Sequence, residues 1–318
     1  MAEQAPFSQT IIAVIWDFDR TLSPHYMQKP LFEAYGVDQR EFWREVNALP
    51  AYYGRAGIHV QDDTCYLGHI LSYVQHGVFA GLSNARLREL GAEIVFFPGM
   101  PEALDRLKNL MAAPEYQEWD IRVEHYVVST GLAELIRGSA VAAQLDGIWA
   151  SEFIEEPAPP RADLAQLPRE GAISQIAGAL DNTTKTRAIF EINKGVNRVP
   201  GISVNDAIPE SYRRVPFENM LYIADGPSDV PSFSVVKKHG GFTFAVHDPE
   251  SKKQFAQVAE LHEQGRIHAI GPADYREHSP TSMWLEHRIV KLAKRIIDER
   301  KNTLGRRVGR GPSHLGDG

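Results

Sequence analysis

The chain contains only one cysteine, Cys65, among its 318 residues. A single thiol excludes an intrachain disulfide, so the fold has to depend on a packed core, and a reducing compartment is compatible with the composition. Cys65 lies in the apolar stretch Thr64-Cys65-Tyr66-Leu67. Because free cysteines are usually small packed side chains, we interpret Cys65 as a core residue rather than a nucleophile.

Long apolar runs and an excess of positive charge are also missing. No window approaches the roughly 20 apolar residues of a membrane span, and the segment Met1–Pro6 lacks the basic region of a signal peptide. The formal net charge is -7, which lacks the broad basic surface of a nucleic-acid binder. The sequence therefore predicts a cytoplasmic protein that binds neither nucleic acid nor membrane, and it leaves the oligomeric state open.

Glycine-rich phosphate loops are absent as well. Neither a G-x-G-x-x-G motif nor a P-loop occurs in the chain, which argues against a nucleotide-binding regulatory domain. Hydrophobic residues make up 43% of the sequence. That content is enough to bury one large core or two smaller ones.

Short apolar runs recur along the chain and predict strands. The first is the β-branched run Ile11–Trp16, which is typical of a strand buried on both faces of a parallel sheet. Helical patterns lie between most of the runs, so we predict an α/β fold with a doubly wound, mainly parallel sheet and a Rossmann-like core. The other runs are His125–Val128, Gly147–Ala150, Met220–Ala224 and Phe242–Val246.

One region breaks this alternation. Residues 24–95 contain helical patterns at Arg40–Ala48, Thr64–Val78 and Asn84–Leu90 without a convincing strand, which indicates a helical module inserted after the first strand. The predicted α/β core is thus formed by residues 1–23 and 96–300. The remaining stretch, 301–318, is rich in Gly and Arg without an apolar pattern, and we predict that it is a disordered tail.

Pairs of acids follow two of the predicted strands. Asp17-Phe18-Asp19 comes directly after the first, and Asp225-Gly226-Pro227-Ser228-Asp229 follows the run at 220–224. Because the carboxyl ends of parallel strands share one edge of a sheet, these acids can meet there. Oxygen ligands from two strands suit Mg²⁺, which leaves room for a substrate phosphate. The alternative is that the acids cap helices and turns.

The order of these motifs resembles the haloacid dehalogenase superfamily, in the branch similar to phosphoserine phosphatase. Asp17–Leu22 matches the first motif and Val127–Gly131, with Ser129, matches the second. Lys185, at the start of a predicted helix, matches the third, with Lys194 as an alternative. Ala224–Asp229 matches the fourth.

This resemblance implies a catalytic role for each matched residue. Asp17 would be the nucleophile that forms an aspartyl-phosphate, and Asp19 the general acid and base. Ser129 and Lys185 would hold the phosphoryl oxygens. The implied Mg²⁺ ligands are Asp17, Asp225 and the main-chain carbonyl of Asp19. Asp229 would orient metal-bound water or Lys185.

The implied activity is Mg²⁺-dependent hydrolysis of a small phosphorylated metabolite. A phosphomutase or phosphotransferase on the same site, and an inactive binding protein of this fold, remain alternatives. The helical insertion 24–95 lies where this family has a lid, called a cap, that excludes water and contacts the substrate. Its polar candidates for substrate contact are His25, Tyr26, Arg55, His59 and Tyr66. The chain departs from the family at Arg20 and Ala224, where smaller residues are commoner.

Overall fold

A seven-stranded sheet forms the centre of the protein, in a computed structural model that describes residues 7–308, with side chains through Thr303. The strand order is β4-β3-β2-β1-β5-β6-β7. All neighbouring strands are parallel except β3 and β4, which are antiparallel. The strands are β1 (Ile11–Trp16), β2 (Arg122–Leu132), β3 (Gly147–Ile154), β4 (Gln175–Gly178), β5 (Met220–Ala224), β6 (Phe242–His247) and β7 (Ala269–Pro272).

The first strand shows why continuous apolar runs form this sheet. Successive side chains of a strand point to opposite faces. Ile12, Val14 and Trp16 pack into one hydrophobic cluster, while Ala13 and Ile15 pack into another. Both faces of β1 are covered, which explains why every residue of the run is apolar. Hydrophobic burial stabilises the strand on both sides.

Helices cover both faces of the sheet, as a doubly wound fold requires. Helices α5, α7 and α11 contribute to the first cluster, and α8, α9 and α10 contribute to the second. The predicted fold class is therefore confirmed. The helices are α1 (Lys29–Tyr35), α2 (Gln39–Gly54), α3 (Cys65–Gln75), α4 (Asn84–Gly91), α5 (Glu102–Asn109), α6 (Pro114–Gln117), α7 (Ala133–Gly138), α8 (Lys185–Lys194), α9 (Val230–Lys238), α10 (Lys252–Glu263) and α11 (Pro280–Val308).

The helical insertion, residues 24–95, contains α1 to α4 and none of the seven strands. Helix α2 begins after Asp38, whose carboxylate accepts hydrogen bonds from the main-chain nitrogens of Arg40 and Glu41. Phe42 and Val46 then face inward at helical spacing. These side chains belong to the same hydrophobic cluster as one face of the sheet, so the interior of the insertion is continuous with that of the core.

The last helix of the insertion packs closely on the core. A Cβ atom at Gly138, the last residue of α7, would lie 1.7 Å from the carbonyl oxygen of Arg88 in α4. A Cβ atom at Gly91 would lie 2.2 Å from the carbonyl oxygen of Leu135. Both positions therefore require glycine, because the two backbones approach without room for a side chain.

Helix α11 continues past the predicted end of the core. It runs to Val308, so the boundary predicted at residue 300 lies inside the helix, and the first part of the predicted disordered tail is helical. Positions 309–318 lie outside the described residues. Across residues 7–308, no helix combines the length and apolar character needed to cross a membrane.

Candidate active site

Asp17 lies at the carboxyl end of the central strand. Its main-chain nitrogen donates to the carbonyl oxygen of Ile223 in β5 at 2.9 Å, which continues the sheet pairing to the site. The following turn is closed by the nitrogen of Leu22, which donates to the carbonyl oxygen of Phe18 at 2.8 Å. Thr21 Oγ1 donates to Asp17 Oδ2 at 3.3 Å. The turn thus fixes the direction of a carboxylate that is only 5% exposed.

Lys185 joins two of the predicted acids. Its Nζ donates to Asp17 Oδ1 at 2.7 Å and to Asp229 Oδ1 at 2.8 Å, and the side chain is 2% exposed. The lysine is the first residue of α8. The preceding turn is held by Asp181, whose carboxylate accepts from the nitrogens of Thr183 and Thr184 at 2.7 and 2.6 Å. Lys185 is therefore fixed at the start of the helix and reaches the carboxylates across the sheet edge.

Lys194, the alternative to Lys185, lies outside this cluster. Its Nζ donates to the carbonyl oxygens of Val204 and Asp206, both at 2.6 Å. The structure therefore brings Lys185 to the acids, while Lys194 closes a loop at the other end of α8.

The acids after β5 complete the cluster. Asp229 is fully buried and also accepts hydrogen bonds from the hydroxyl of Tyr222 at 2.6 Å and from Ser228 Oγ at 2.9 Å. Carboxylate oxygens of Asp17, Asp225 and Asp229 all lie within 4.8 Å of one another. An all-oxygen group of this size can hold a small hard cation such as Mg²⁺. The carboxylate of Asp229, rather than that of Asp19, is the third member of this group.

The electrostatics of the cluster favour an added cation. Burial raises the pKa of Asp17 to about 6, although Lys185 acts in the opposite direction. Burial, followed by the charge of Asp17, raises the pKa of Asp225 to about 7. Burial opposes the charge of Lys185, but Asp17 and Asp229 outweigh it and hold the lysine pKa well above its ordinary value. One ammonium group thus faces three carboxylates, and negative charge is left uncompensated.

Asp19 has a different environment. Its Oδ1 accepts a hydrogen bond from the nitrogen of Met27 at 2.8 Å. Burial, and then the charge of Asp17, raises the Asp19 pKa well above its ordinary value. A carboxyl group with a raised pKa can carry a proton near neutral pH, which suits a group that gives and takes protons.

Ser129 lies at the same edge of the sheet. Its strand, β2, pairs with β1 so that Val127 is opposite Trp16, which brings Ser129 beyond the end of the pairing. The side chain is buried, and its Oγ accepts from the nitrogen of Gly131 at 3.1 Å. Among the described residues, Ser129 has no hydrogen bond to Asp17 or Lys185.

The cap candidates divide into two groups. Tyr66 is buried, and its hydroxyl donates to the carbonyl oxygen of Thr130 at 2.7 Å, next to Ser129. Tyr26 lies beneath the guanidinium of Arg20, 4.6 Å from ring centre to Cζ. The other three candidates are exposed: His25, Arg55 and His59.

Sequence reasoning did not single out Tyr222. The residue is part of the apolar run that forms β5, and its ring packs in the core while its hydroxyl reaches Asp229. The one indication in the sequence was a tyrosine inside a predicted buried strand, because a buried tyrosine hydroxyl usually has a hydrogen-bond partner.

Solved structures of hydrolases share the fold of this chain. A solved HAD family hydrolase from Salmonella enterica serovar Typhi superposes with a TM-score of 0.50 at 13% identity, and the match covers 88% of this chain and 72% of that chain. Such a match defines a shared fold. The protein therefore has the haloacid dehalogenase fold, as the motif order predicted. A phosphoserine phosphatase matches with a TM-score of 0.45 at 17% identity, covering 82% of this chain and 93% of that chain.

One sequence relative is much more similar. An uncharacterized protein of Borreliella burgdorferi is 35% identical over 287 residues, and the match covers 88% of this chain and 97% of the relative. The chain belongs to the same family as this relative. No family model matches the chain.

Proposed function

We propose that the protein is a Mg²⁺-dependent phosphatase that hydrolyses a small phosphorylated metabolite through an aspartyl-phosphate on Asp17. The observation that carries this proposal is the buried contact of Lys185 with both Asp17 and Asp229, at 2.7 and 2.8 Å. A lysine between two carboxylates at the carboxyl edge of a parallel sheet is a costly arrangement for stability alone. It suits a site that has to gather positive charge around a transferring phosphoryl group.

The residues at this edge fit a metal ion. Three carboxylates with oxygens within 4.8 Å offer the hard ligands that Mg²⁺ prefers, and we assign Asp17, Asp225 and Asp229 to its surroundings, with the main-chain carbonyl of Asp19 as a further ligand. When bound, Mg²⁺ would neutralise the repulsion between a carboxylate nucleophile and a phosphate dianion.

The protein's own groups then divide the chemistry. The carboxylate of Asp17 attacks phosphorus, a new P–O bond forms, and the bond to the leaving oxygen breaks. Asp19 gives its proton to that leaving oxygen. In the second step Asp19 takes a proton from water as the water oxygen bonds to phosphorus, and the P–O bond to Asp17 breaks, which releases inorganic phosphate and restores the carboxylate. The raised pKa of Asp19 supports this role.

Two further groups hold the substrate in this proposal. Lys185 Nζ donates hydrogen bonds to the phosphoryl oxygens as well as to Asp17, while its bond to Asp229 keeps the ammonium group in place. Ser129, buried at the end of β2, supplies a hydroxyl to the same oxygens. Each such contact contributes on the order of 3 kcal/mol to lowering the barrier.

A screen of phosphorylated metabolites tests the proposal. Free phosphate is measured with Mg²⁺, with Ca²⁺ and with excess chelator. We expect hydrolysis of at least one ester with Mg²⁺, little with Ca²⁺, because its looser geometry misplaces the nucleophile, and none with chelator. Full activity in chelator would falsify the metal assignment. Release of no phosphate from any ester would remove the phosphatase proposal.

A further inference from the structure

Arg20 lies beside the acidic site, where its charge acts against the rise in the pKa of Asp225 that burial causes. It directly follows Asp19, is half-buried, and has its guanidinium 4.6 Å from the centre of the Tyr26 ring. Among the described residues, its side chain has no hydrogen bond and no ion pair. The backbone of Arg20 is in the left-handed region, with φ 59°, which costs a non-glycine residue about 1 kcal/mol. The stacked guanidinium therefore leaves its N–H donors available to another group.

Tyr26 also lines a cavity of about 880 Å³. Tyr26 contacts Trp43 of α2, with ring centres 5.3 Å apart. A volume of this size lies within the range of small-molecule sites. Arg20 itself does not line the cavity, but it stacks on Tyr26, which does. The cavity is lined by Tyr26, Asp38, Gln39, Arg40, Trp43, Arg44 and Asn47.

The charges around this cavity favour an anion. The carboxylate of Asp38 already caps α2 by accepting from two main-chain nitrogens. Arg44 pairs with Glu41 at 2.8 Å, whereas Arg40 has no ion pair among the described residues. In the described part of the chain, neither the guanidinium of Arg40 in the lining nor that of Arg20 beside Tyr26 therefore makes an ion pair.

The geometry points to a substrate with a second anionic group, a carboxylate or a second phosphate, which Arg20 binds while the rest of the leaving group occupies the cavity beside Tyr26 and Trp43. This inference deepens the proposed phosphatase function and rests on it. Arginine suits the role because its planar N–H donors match two oxygens of a carboxylate or phosphate at once. Arg20 would then determine specificity, and the aspartate chemistry would be common to all substrates.

Matched pairs of esters test this inference. Glycerol 3-phosphate and 3-phosphoglycerate differ by a carboxylate, and fructose 6-phosphate and fructose 1,6-bisphosphate differ by a second phosphate. We expect the wild-type protein to prefer the acidic member of at least one pair by tenfold or more in kcat/KM. The pair that shows the preference identifies which anionic group is bound.

Substitution of Arg20 locates the preference. Arg20→Gln should reduce it at least tenfold, mainly through KM, because the lost contact is made in the bound substrate as well as the transition state. Arg266→Gln is the control. Arg266 is exposed and lies outside the cavity, so this variant should keep the preference. A wild-type protein without preference, or an Arg20→Gln variant that retains it, overturns the inference.

Calorimetry separates failure of this inference from failure of the proposed function. If the wild-type protein hydrolyses neither these four esters nor any other ester of the metabolite screen, the phosphatase proposal fails, and binding of 3-phosphoglycerate and fructose 1,6-bisphosphate in Mg²⁺ decides the inference. Binding of either compound that weakens at least tenfold in Arg20→Gln supports an anion site at Arg20. Equal binding by both proteins, or no binding of either compound by the wild-type protein, overturns it.

Discussion

The ammonium group of Lys185 donates hydrogen bonds to both Asp17 and Asp229. We therefore expect that Asp17, the proposed nucleophile, can be substituted without loss of the fold. In Asp17→Asn, Lys185 keeps its contact with Asp229, and the amide removes one of the crowded negative charges. We expect phosphatase turnover to fall by about a thousandfold or more, because an amide cannot act as the nucleophile. The melting temperature should stay equal or rise, since burial already opposes ionisation of Asp17.

The control for this substitution is Asp298→Asn, at an exposed position on α11, which should leave both turnover and melting unchanged. Near-normal turnover in Asp17→Asn would show that another group is the nucleophile. A large loss of stability would show that the contact of Asp17 with Lys185 holds the fold together.

The residues of the site differ in how far the sequence determined them. Asp17, Asp225 and Asp229 follow buried strands, and the topology of a parallel sheet brings strand ends together whatever the loops do. The choice between Lys185 and Lys194 could not be made in this way, because both residues lie on α8 and only its packing decides which end faces the sheet edge. The position of Arg20 on the Tyr26 ring depends on the fold of the insertion, which no local pattern specifies.

His125 is a buried group whose charge the fold excludes. Trp16 Nε1, which can only donate, points at His125 Nδ1 at 3.2 Å, so the ring proton is on Nε2, 2.9 Å from the carbonyl oxygen of Leu104. A second proton would place two N–H groups against each other. Burial lowers the pKa of His125 to about 4. Because the folded pKa lies below the unfolded value, the unfolded state binds more protons between these pH values, and the free energy of unfolding decreases as the pH is lowered.

This shift predicts a pH dependence of the free energy of unfolding. The contribution of His125 should be complete above pH ~6.5 and should decrease as the pH falls towards 4, by about 3 kcal/mol in total. The measurement is urea unfolding of the wild type and of His125→Gln at pH 7, 5.5 and 4.5. The comparison cancels the titration of carboxyl groups common to both proteins. We expect the wild type to lose its advantage over the variant on acidification, and a constant difference would refute the assignment.

At the scale of elements, the close approach of α4 and α7 is the contact most sensitive to a single methyl group. Gly138→Ala would place a Cβ atom 1.7 Å from the carbonyl oxygen of Arg88, a backbone atom that cannot move alone. We expect a destabilisation of about 2 kcal/mol or more in urea unfolding, from forced displacement of one helix.

Gly68→Ala provides the matched control. Gly68 lies within α3 and has no atom within 4 Å of an added Cβ. This alanine should stabilise the protein by about 0.5 to 1 kcal/mol, since glycine is a poor helix former. A neutral Gly138→Ala would mean that α4 is free to separate from α7 and is not anchored to the core.

The elements predicted from sequence were those with strong hydrophobic periodicity. The five apolar runs all form strands. Helices α2, α3 and α4 agree with the helical patterns predicted in the insertion apart from their ends, and α8 begins at Lys185 as predicted. The strands β4 and β7 were missed because each is four residues long and at an edge of the sheet, where less of each strand is buried. Helix α1 was also missed, since it is short and begins with Lys29-Pro30.

At the scale of the whole molecule, the proposed cap has two kinds of connection with the core. All four of its helices have side chains in the hydrophobic cluster of the sheet, and α4 is in addition held by glycine contacts. Helix α3 and the loop before it also contact the loops of the site through two hydrogen bonds: the Tyr66 hydroxyl donates to the carbonyl oxygen of Thr130, and the main-chain nitrogen of Asn182 donates to Asp63. We therefore expect any opening to involve α2 and α3, while α4 stays on the core.

Burial of the proposed catalytic groups supports such an opening. Asp17, Lys185 and Asp229 are 5%, 2% and 0% exposed, so little of their surface is accessible to a phosphorylated metabolite in this structure. The main-chain nitrogen of Asn182 donates to Asp63 Oδ2 at 3.1 Å, so the two residues are neighbours across the boundary between cap and core. Cysteines at these positions should form a disulfide, which requires Cα atoms within about 7 Å.

The last prediction is that this disulfide locks the active site. Asp63→Cys with Asn182→Cys is prepared in a Cys65→Ser background, because Cys65 is close in sequence and would compete for the new thiol. With the ester identified by the metabolite screen, we expect oxidation to lower kcat/KM at least tenfold, and a reductant to restore it. Each single cysteine variant in the same background should be insensitive to oxidation. If the cross-linked protein turns over substrate as fast as the reduced one, α2 and α3 do not move during turnover, and the hypothesis of a mobile cap is wrong.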